Sequence, residues 1–205
     1  MTPHTAAAAP IDPAAGTLKK SKRHMPGEEG IWVFVFGDMM VFSLFFITFL
    51  YYRGQAVELF AAAQTHLNQA FGALNTFLML TSSWFVALGV HAARRNLGRV
   101  TPICLMLALA CGFGFVVVKV FEYSEKFRAG ITINSNDFFM YYFMFTGIHL
   151  LHVLIGTGVL LFLTRQSWAG TFSQTQIRNL ESGASFWHLV DLLWIVLFPL
   201  LYVMR

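Results

Sequence analysis

The stretch Phe138–Thr164 reads FFMYYFMFTGIHLLHVLIGTGVLLFLT and contains no Asp, Glu, Lys or Arg. A hydrocarbon core about 30 Å thick needs roughly 20 helical residues to cross it, so this run is long enough to span a bilayer. Its apolar residues are continuous, without the alternation that a membrane β-strand requires. Working outward, four more runs have the same character: Ile31–Tyr52, Phe71–Ala93, Thr101–Glu122 and Ala184–Met204. These five segments predict an all-α membrane protein, a bundle of five transmembrane helices. Residues 28–205 form that domain, and residues 1–27, rich in Ala, Pro and Thr, are expected to be a disordered tail. Residues 1–18 lack the charged n-region and long apolar h-region of a cleaved signal.

Composition excludes a soluble alternative. Hydrophobic residues make up 57% of the chain and charged residues 12%, whereas a soluble domain carries about 25% charged residues. The net charge of +4 does not signal nucleic acid, because the basic residues sit in short runs beside apolar segments and form no continuous face. Their distribution sets orientation instead. Nine lie on one side (Lys19, Lys20, Lys22, Arg23, Arg94, Arg95, Arg99, Arg165 and Arg178) against four on the other (Arg53, Lys126, Arg128 and Arg205). This predicts a cytoplasmic N-terminus and a periplasmic C-terminus. Tyr51, Tyr52, Trp168, Trp187 and Tyr202 fall near span ends, where interfacial aromatics belong. Cys104 and Cys111 lie in an apolar run with no metal-ligand spacing and read as small buried hydrophobes.

Ionisable residues inside a span are costly and mark function or pairing between helices. This chain has Asp38, His91, Lys119, Glu122, His149, His152, His188 and Asp191, with Glu181 at a span edge. Lys119 and Glu122 are three apart and can pair on one helix face; Lys119 could also snorkel to the interface. His149 and His152 share i, i+3 spacing and could hold metal or haem. A di-metal carboxylate bundle, however, needs Glu-x-x-His on two helices plus two further glutamates, and that pattern is missing. Buried histidines bonded to acids on neighbouring helices are the better expectation. Glu181, Ser185, His188 and Asp191 form one stripe of the last helix, at a depth similar to Asp38 and His91, so an inner polar cluster is expected. Pro199 should loosen the end of that helix. Small residues such as Ala108, Gly112 and Gly156 offer close helix approach. No phosphate loop, dinucleotide fingerprint or nucleophile elbow is present.

Several motifs together resemble the haem–copper oxidase subunit III family. They are Phe143-Met144-Phe145-Thr146-Gly147-Ile148-His149-Leu150-Leu151-His152-Val153 with Gly156, and Glu181 followed by Phe186-Trp187-His188-Leu189-Val190-Asp191 and Trp194. Glu122-Tyr123 and Asn75-Thr76 add to them, and the resemblance covers roughly residues 28–204. Within the family the chain resembles the NorE type, an accessory protein of nitric oxide reductase. The residues that suggest it are Gly27-Glu28-Glu29-Gly30-Ile31-Trp32, Phe36-Gly37-Asp38-Met39 and the run Glu181–His188. The mitochondrial type resembles a seven-helix form with a Glu near the position of Asp38. Here five helices are expected, which puts the lipid-filled cleft of the longer form in doubt; the five-helix quinol oxidase subunit III is the nearest alternative.

The resemblance implies a non-catalytic subunit with no haem or copper of its own, in the bacterial cytoplasmic membrane. It implies catalytic oxidase or reductase subunits as partners, membrane lipid around it, and bound phospholipid. Glu122 is then the residue nearest a proton-related role. Two other classes remain open on the residues: a small proton-coupled transporter, and a redox enzyme using His149, His152 and His188.

Overall fold

The computed structural model describes residues 29–204 apart from 169 and 171, so the expected N-terminal tail and its basic run lie outside the described residues. Six helices make up the described part: α1 (Glu29–Gln55), α2 (Val57–Gln64), α3 (Gln69–Arg94), α4 (Val100–Arg128), α5 (Asp137–Ser167) and α6 (Gln174–Phe198). All but α2 are long and apolar enough to cross a membrane. The five spans are those expected from sequence, with an additional short helix in the first connection.

Helix ends follow local chemistry. Asn68 and Asn136 cap α3 and α5, their side chains accepting from Ala70 N at 3.0 Å and Phe139 N at 2.9 Å. Ser173 and Gln176 form a reciprocal capping box on α6. That box starts α6 at Gln174, ten residues before the expected Ala184, and the Ser-x-x-Gln spacing was a legible signal for it. Likewise α4 runs past Glu122 to Arg128 and ends where Gly130 takes φ +74° while Ile131 N donates to Lys126 O at 3.0 Å.

Helices α3, α4, α5 and α6 form a closed four-helix ring, each packed on two neighbours, with α3 and α4 the most extensive pair. Helix α1 lies outside this ring and is the least buried span; α6 is the most buried. One stripe of α1 faces inward: Ile31, Val35, Phe42, Phe45, Phe46 and Phe49 at helical spacing. Phe49 meets Phe60 of α2 and Tyr141 of α5 with centroids at 5.5 and 5.6 Å, so α1 and α2 are joined to the ring through aromatic edges.

Trp187 and Tyr202 are not interfacial, contrary to expectation. They are 0% and 2% exposed. A span end in sequence is not an outer surface when the helix is the most enclosed one. Trp187 lies against Gly112 and Gly156, where an added Cβ would come within 2.9 and 2.7 Å of the indole. Tyr51, Tyr52 and Trp168 are exposed, as interfacial aromatics should be.

Pro199 alters the last helix as its missing N–H requires. Residues Pro199–Val203 form a π-helical turn, with Met204 N donating to Pro199 O at 2.9 Å. Its loosened carbonyls are taken up by side chains: Gln64 Nε2 donates to Leu201 O at 3.2 Å, Gln69 Nε2 to Tyr202 O at 2.8 Å, and Arg53 to Met204 O at 3.1 Å.

The seat of Trp187 gives a direct test. Gly156→Val should destabilise the folded protein in detergent by about 1–3 kcal/mol, the usual cost of overpacking a core. Gly158→Val, where nothing lies within 4 Å, should leave the thermal unfolding midpoint within a degree or so.

Candidate functional site

The four-helix ring encloses a charged centre. Lys119 and Glu122, both on α4, are 0% exposed. Lys119 Nζ donates to Glu122 Oε2 at 2.9 Å and to Tyr202 OH at 2.9 Å, and Tyr202 in turn donates to Glu122 Oε1 at 2.6 Å. The three side chains close a hydrogen-bonded circuit in which both carboxylate oxygens are engaged. The ammonium also lies over four aromatic rings: Trp194 at 4.8 Å, Tyr142 and Tyr202 at 5.4 Å, and Tyr123 at 5.9 Å. Ring faces carry negative electrostatic potential, so this cage offsets part of the desolvation of the cation.

The cage is itself braced. Thr146 Oγ1 donates to Tyr142 O at 2.6 Å, which leaves it to accept from Tyr123 OH at 2.6 Å. Trp194 Nε1 donates to Thr76 Oγ1 at 3.0 Å, tying α6 to α3. The Lys119–Glu122 pair was expected; an alternative exit of Lys119 to the interface is ruled out by its burial. Its aromatic partners were not identified as such. Tyr202 in particular was read as interfacial, because only the π-turn brings its phenol inward.

The histidines divide. His152 on α5 places Nε2 3.0 Å from Asp38 Oδ1 of α1 and Nδ1 2.9 Å from Ile148 O. This is the His-to-acid bond between helices that the sequence suggested. His149 departs from that expectation: it is fully buried, with its ring 5.5 Å from Phe115 and 5.3 Å from Trp194, and neither nitrogen has a hydrogen-bond partner among the described residues. Three residues apart on α5, the two rings serve different interfaces. Asn75 and the Tyr142 hydroxyl also lack partners among the described residues.

The expected single inner cluster does not form. Asp38 goes to His152, whereas Glu181 pairs with Arg94 of α3, whose Nη2 lies at 2.8 Å and Nε at 2.9 Å. His188 Nδ1 sits 2.6 Å from Ser83 Oγ of α3, with Asp191 one turn further along α6. His91 is exposed near the end of α3. Similar depth along three helices did not mean proximity, because these groups turn to different neighbours. Arg94 and Ser83 were missed as partners. Arg94 carried a topology signal that masked its pairing, and Ser83 carried none. Among the described residues no group of three or more His, Cys, Asp or Glu comes together.

A family model described as cytochrome c oxidase subunit III matches residues 24–205. The chain belongs to the cytochrome c oxidase subunit III family. The motifs quoted from α5 and α6 therefore lie on the two helices that, with α4, build the charged centre. Similar chains include quinol oxidase subunit 3 of Bacillus subtilis, 29% identical over 185 residues, covering 85% of each chain. Cytochrome c oxidase subunit 3 of Thermostichus vulcanus is 27% identical over 176 residues, covering 85% of this chain and 86% of the relative. The Drosophila melanogaster cytochrome c oxidase subunit 3 is 30% identical over 179 residues, covering 84% of this chain and 67% of the longer relative.

The circuit predicts strong coupling between its members. Lys119→Met or Glu122→Leu alone leaves one buried charge uncompensated and should cost about 3–5 kcal/mol. The double variant should cost clearly less than the two singles together. A denaturation cycle in detergent reads this; additive costs would mean that the pair is not coupled.

Proposed function

We propose that this chain is a non-catalytic subunit of a haem–copper-type respiratory complex, and that it supports the assembly, stability or proton supply of the catalytic subunits. The observation that carries this reading is how its intramembrane ionisable groups are disposed. Lys119 with Glu122, Asp38 with His152 and Arg94 with Glu181 are each engaged with a protein partner. Side chains already joined in pairs, two of the three between helices, suit a rigid scaffold better than a haem or metal ligand set or a transport path. Haem and copper belong to the partner in this reading, and Glu122, held in the dry centre of the ring, is the acid closest to any proton-related role.

The finer reading is a NorE-like subunit associated with nitric oxide reductase in a bacterial cytoplasmic membrane. It rests on the likeness of Gly27–Trp32, Phe36–Met39 and Glu181–His188 to that type. A second reading, subunit III of a quinol or cytochrome c oxidase, is favoured by the names of the relatives above. Either way the N-terminus is proposed to be cytoplasmic. Arg94, Arg95, Arg99, Arg165 and Arg178 gather at one end of the bundle, and Arg53, Lys126 and Arg128 at the other. Bound phospholipid is part of the proposal. A groove of about 430 Å³ between α1, α5 and α6, lined by Phe34, Ile155, Phe162 and Phe186, has the apolar walls an acyl chain needs.

Tagged chain extracted from its native membrane in mild detergent should bring down a haem-containing partner. Deletion of its gene should lower nitric oxide consumption if the partner is the reductase, and oxygen consumption if it is an oxidase. Purification without haem, with both activities unchanged by deletion, would overturn the proposal.

A further inference from the structure

Buried polar groups in this protein are enclosed by the ring, but one ionisable side chain faces outward where lipid should be. His188 is exposed, and it lies fourteen residues after Gln174 and fifteen before Val203, in the middle of the last span. Its bonding partner Ser83 lies eleven residues before Arg94, about 17 Å along α3 at 1.5 Å per residue. Both therefore sit near the bilayer midplane. Among the described residues His188 is the one exposed ionisable side chain at such a depth. The exposed positions of α4 and α5 at comparable depth, such as Phe113, Leu151, Leu154 and Ile155, are apolar.

Hydrocarbon cannot satisfy an imidazole, and ionisable groups in a span face protein or water. Nδ1 is engaged by Ser83 Oγ at 2.6 Å, but Nε2 has no partner among the described residues. Beneath it Asp191 is 6% exposed, and its Oδ1 is also without a partner. Around this polar spot stand exposed Leu80 and Trp84 of α3 and Leu192 and Ile195 of α6. Exposed Trp84 adds a side chain of the type that carries much of the energy at protein interfaces. In lipid such a seam is covered by another helix with a hydrogen-bonding side chain.

We infer that the α3/α6 seam at Ser83 and His188 is the surface on which a transmembrane helix of the haem-bearing subunit docks, presenting a hydroxyl or carboxamide to His188 Nε2. Either group both donates and accepts, so it matches the imidazole in either tautomer. This assignment rests on the accessory-subunit reading and says which face carries the partner.

Site-directed photocrosslinking in native membranes tests it. A photoreactive phenylalanine analogue is placed at Trp84 or Leu192 on the seam, and at Phe121 or Leu151 on the α4 and α5 faces. Illumination should join the haem-bearing subunit to the chain from the two seam positions and not from the other two. In parallel, Ser83→Ala and His188→Phe should lower the haem retained per tagged chain after a detergent wash by about threefold to tenfold, the range for one interhelical hydrogen bond. Leu151→Ala should not change it.

Crosslinks to the haem subunit only from Phe121 or Leu151, or to a second copy of this chain from Trp84, would overturn the docking face while leaving the accessory role intact. So would a haem subunit that co-purifies but crosslinks from neither seam position. If no haem subunit co-purifies at all, the accessory reading fails, and the docking face with it.

Discussion

The burial of one positive charge constrains everything around it. Lys119 sits on α4 with no route to water, and a lone ammonium in a low-dielectric interior is too costly to keep. Its stability depends on Glu122 one turn away, on the Tyr202 hydroxyl that closes the circuit, and on the aromatic faces of Trp194, Tyr142 and Tyr123. Those groups come from α4, α5, α6 and the π-turn that follows it, and Thr76 of α3 steadies Trp194. The circuit therefore requires all four helices of the ring at once. Docking of any single helix is incomplete without the others.

This requirement links features that look unrelated along the chain. Pro199 opens a π-turn, the turn rotates Tyr202 inward, and Gln64 and Gln69 from the α2–α3 region hold the loosened carbonyls. Gly72 allows the close approach, since a Cβ there would meet Phe198 at 2.8 Å and Tyr202 at 3.0 Å. The same logic holds near the middle of the ring, where Gly112 and Gly156 admit the indole of Trp187. Glycine and proline, which weaken helices in water, here create the space and the bend that a buried ion pair needs. A rigid centre of this kind suits a subunit whose task is to present fixed surfaces to a neighbour.

Helix α1 stands apart from that centre. It adheres through phenylalanines, the Asp38–His152 contact and the Arg53 bond to Met204 O, and most of its surface is exposed. Its three glycines, Gly30, Gly37 and Gly54, have open space around them. A groove opens at the junction of α1 with α5 and α6. The polar seam of α3 and α6 lies on a different part of the surface, so lipid and partner need not compete for one face.

The number and rough position of the spans were determined by sequence alone, because a bilayer demands about 20 apolar residues and tolerates few charges among them. So was the Lys119–Glu122 pair, since i, i+3 spacing on a helix is a local property. The start of α6 was legible in Ser173 and Gln176, although hydropathy hid it. Family membership was likewise carried by short motifs in α5 and α6. Partners across helices were not legible. That Glu181 meets Arg94, that Asp38 meets His152, and that His149 meets only rings all depend on how helices are rotated and which of them adjoin. Apolar residues dominate every face of these spans, so periodicity gave little sign of which face turns inward. Only the tertiary structure, by closing the ring around a buried charge, decided that.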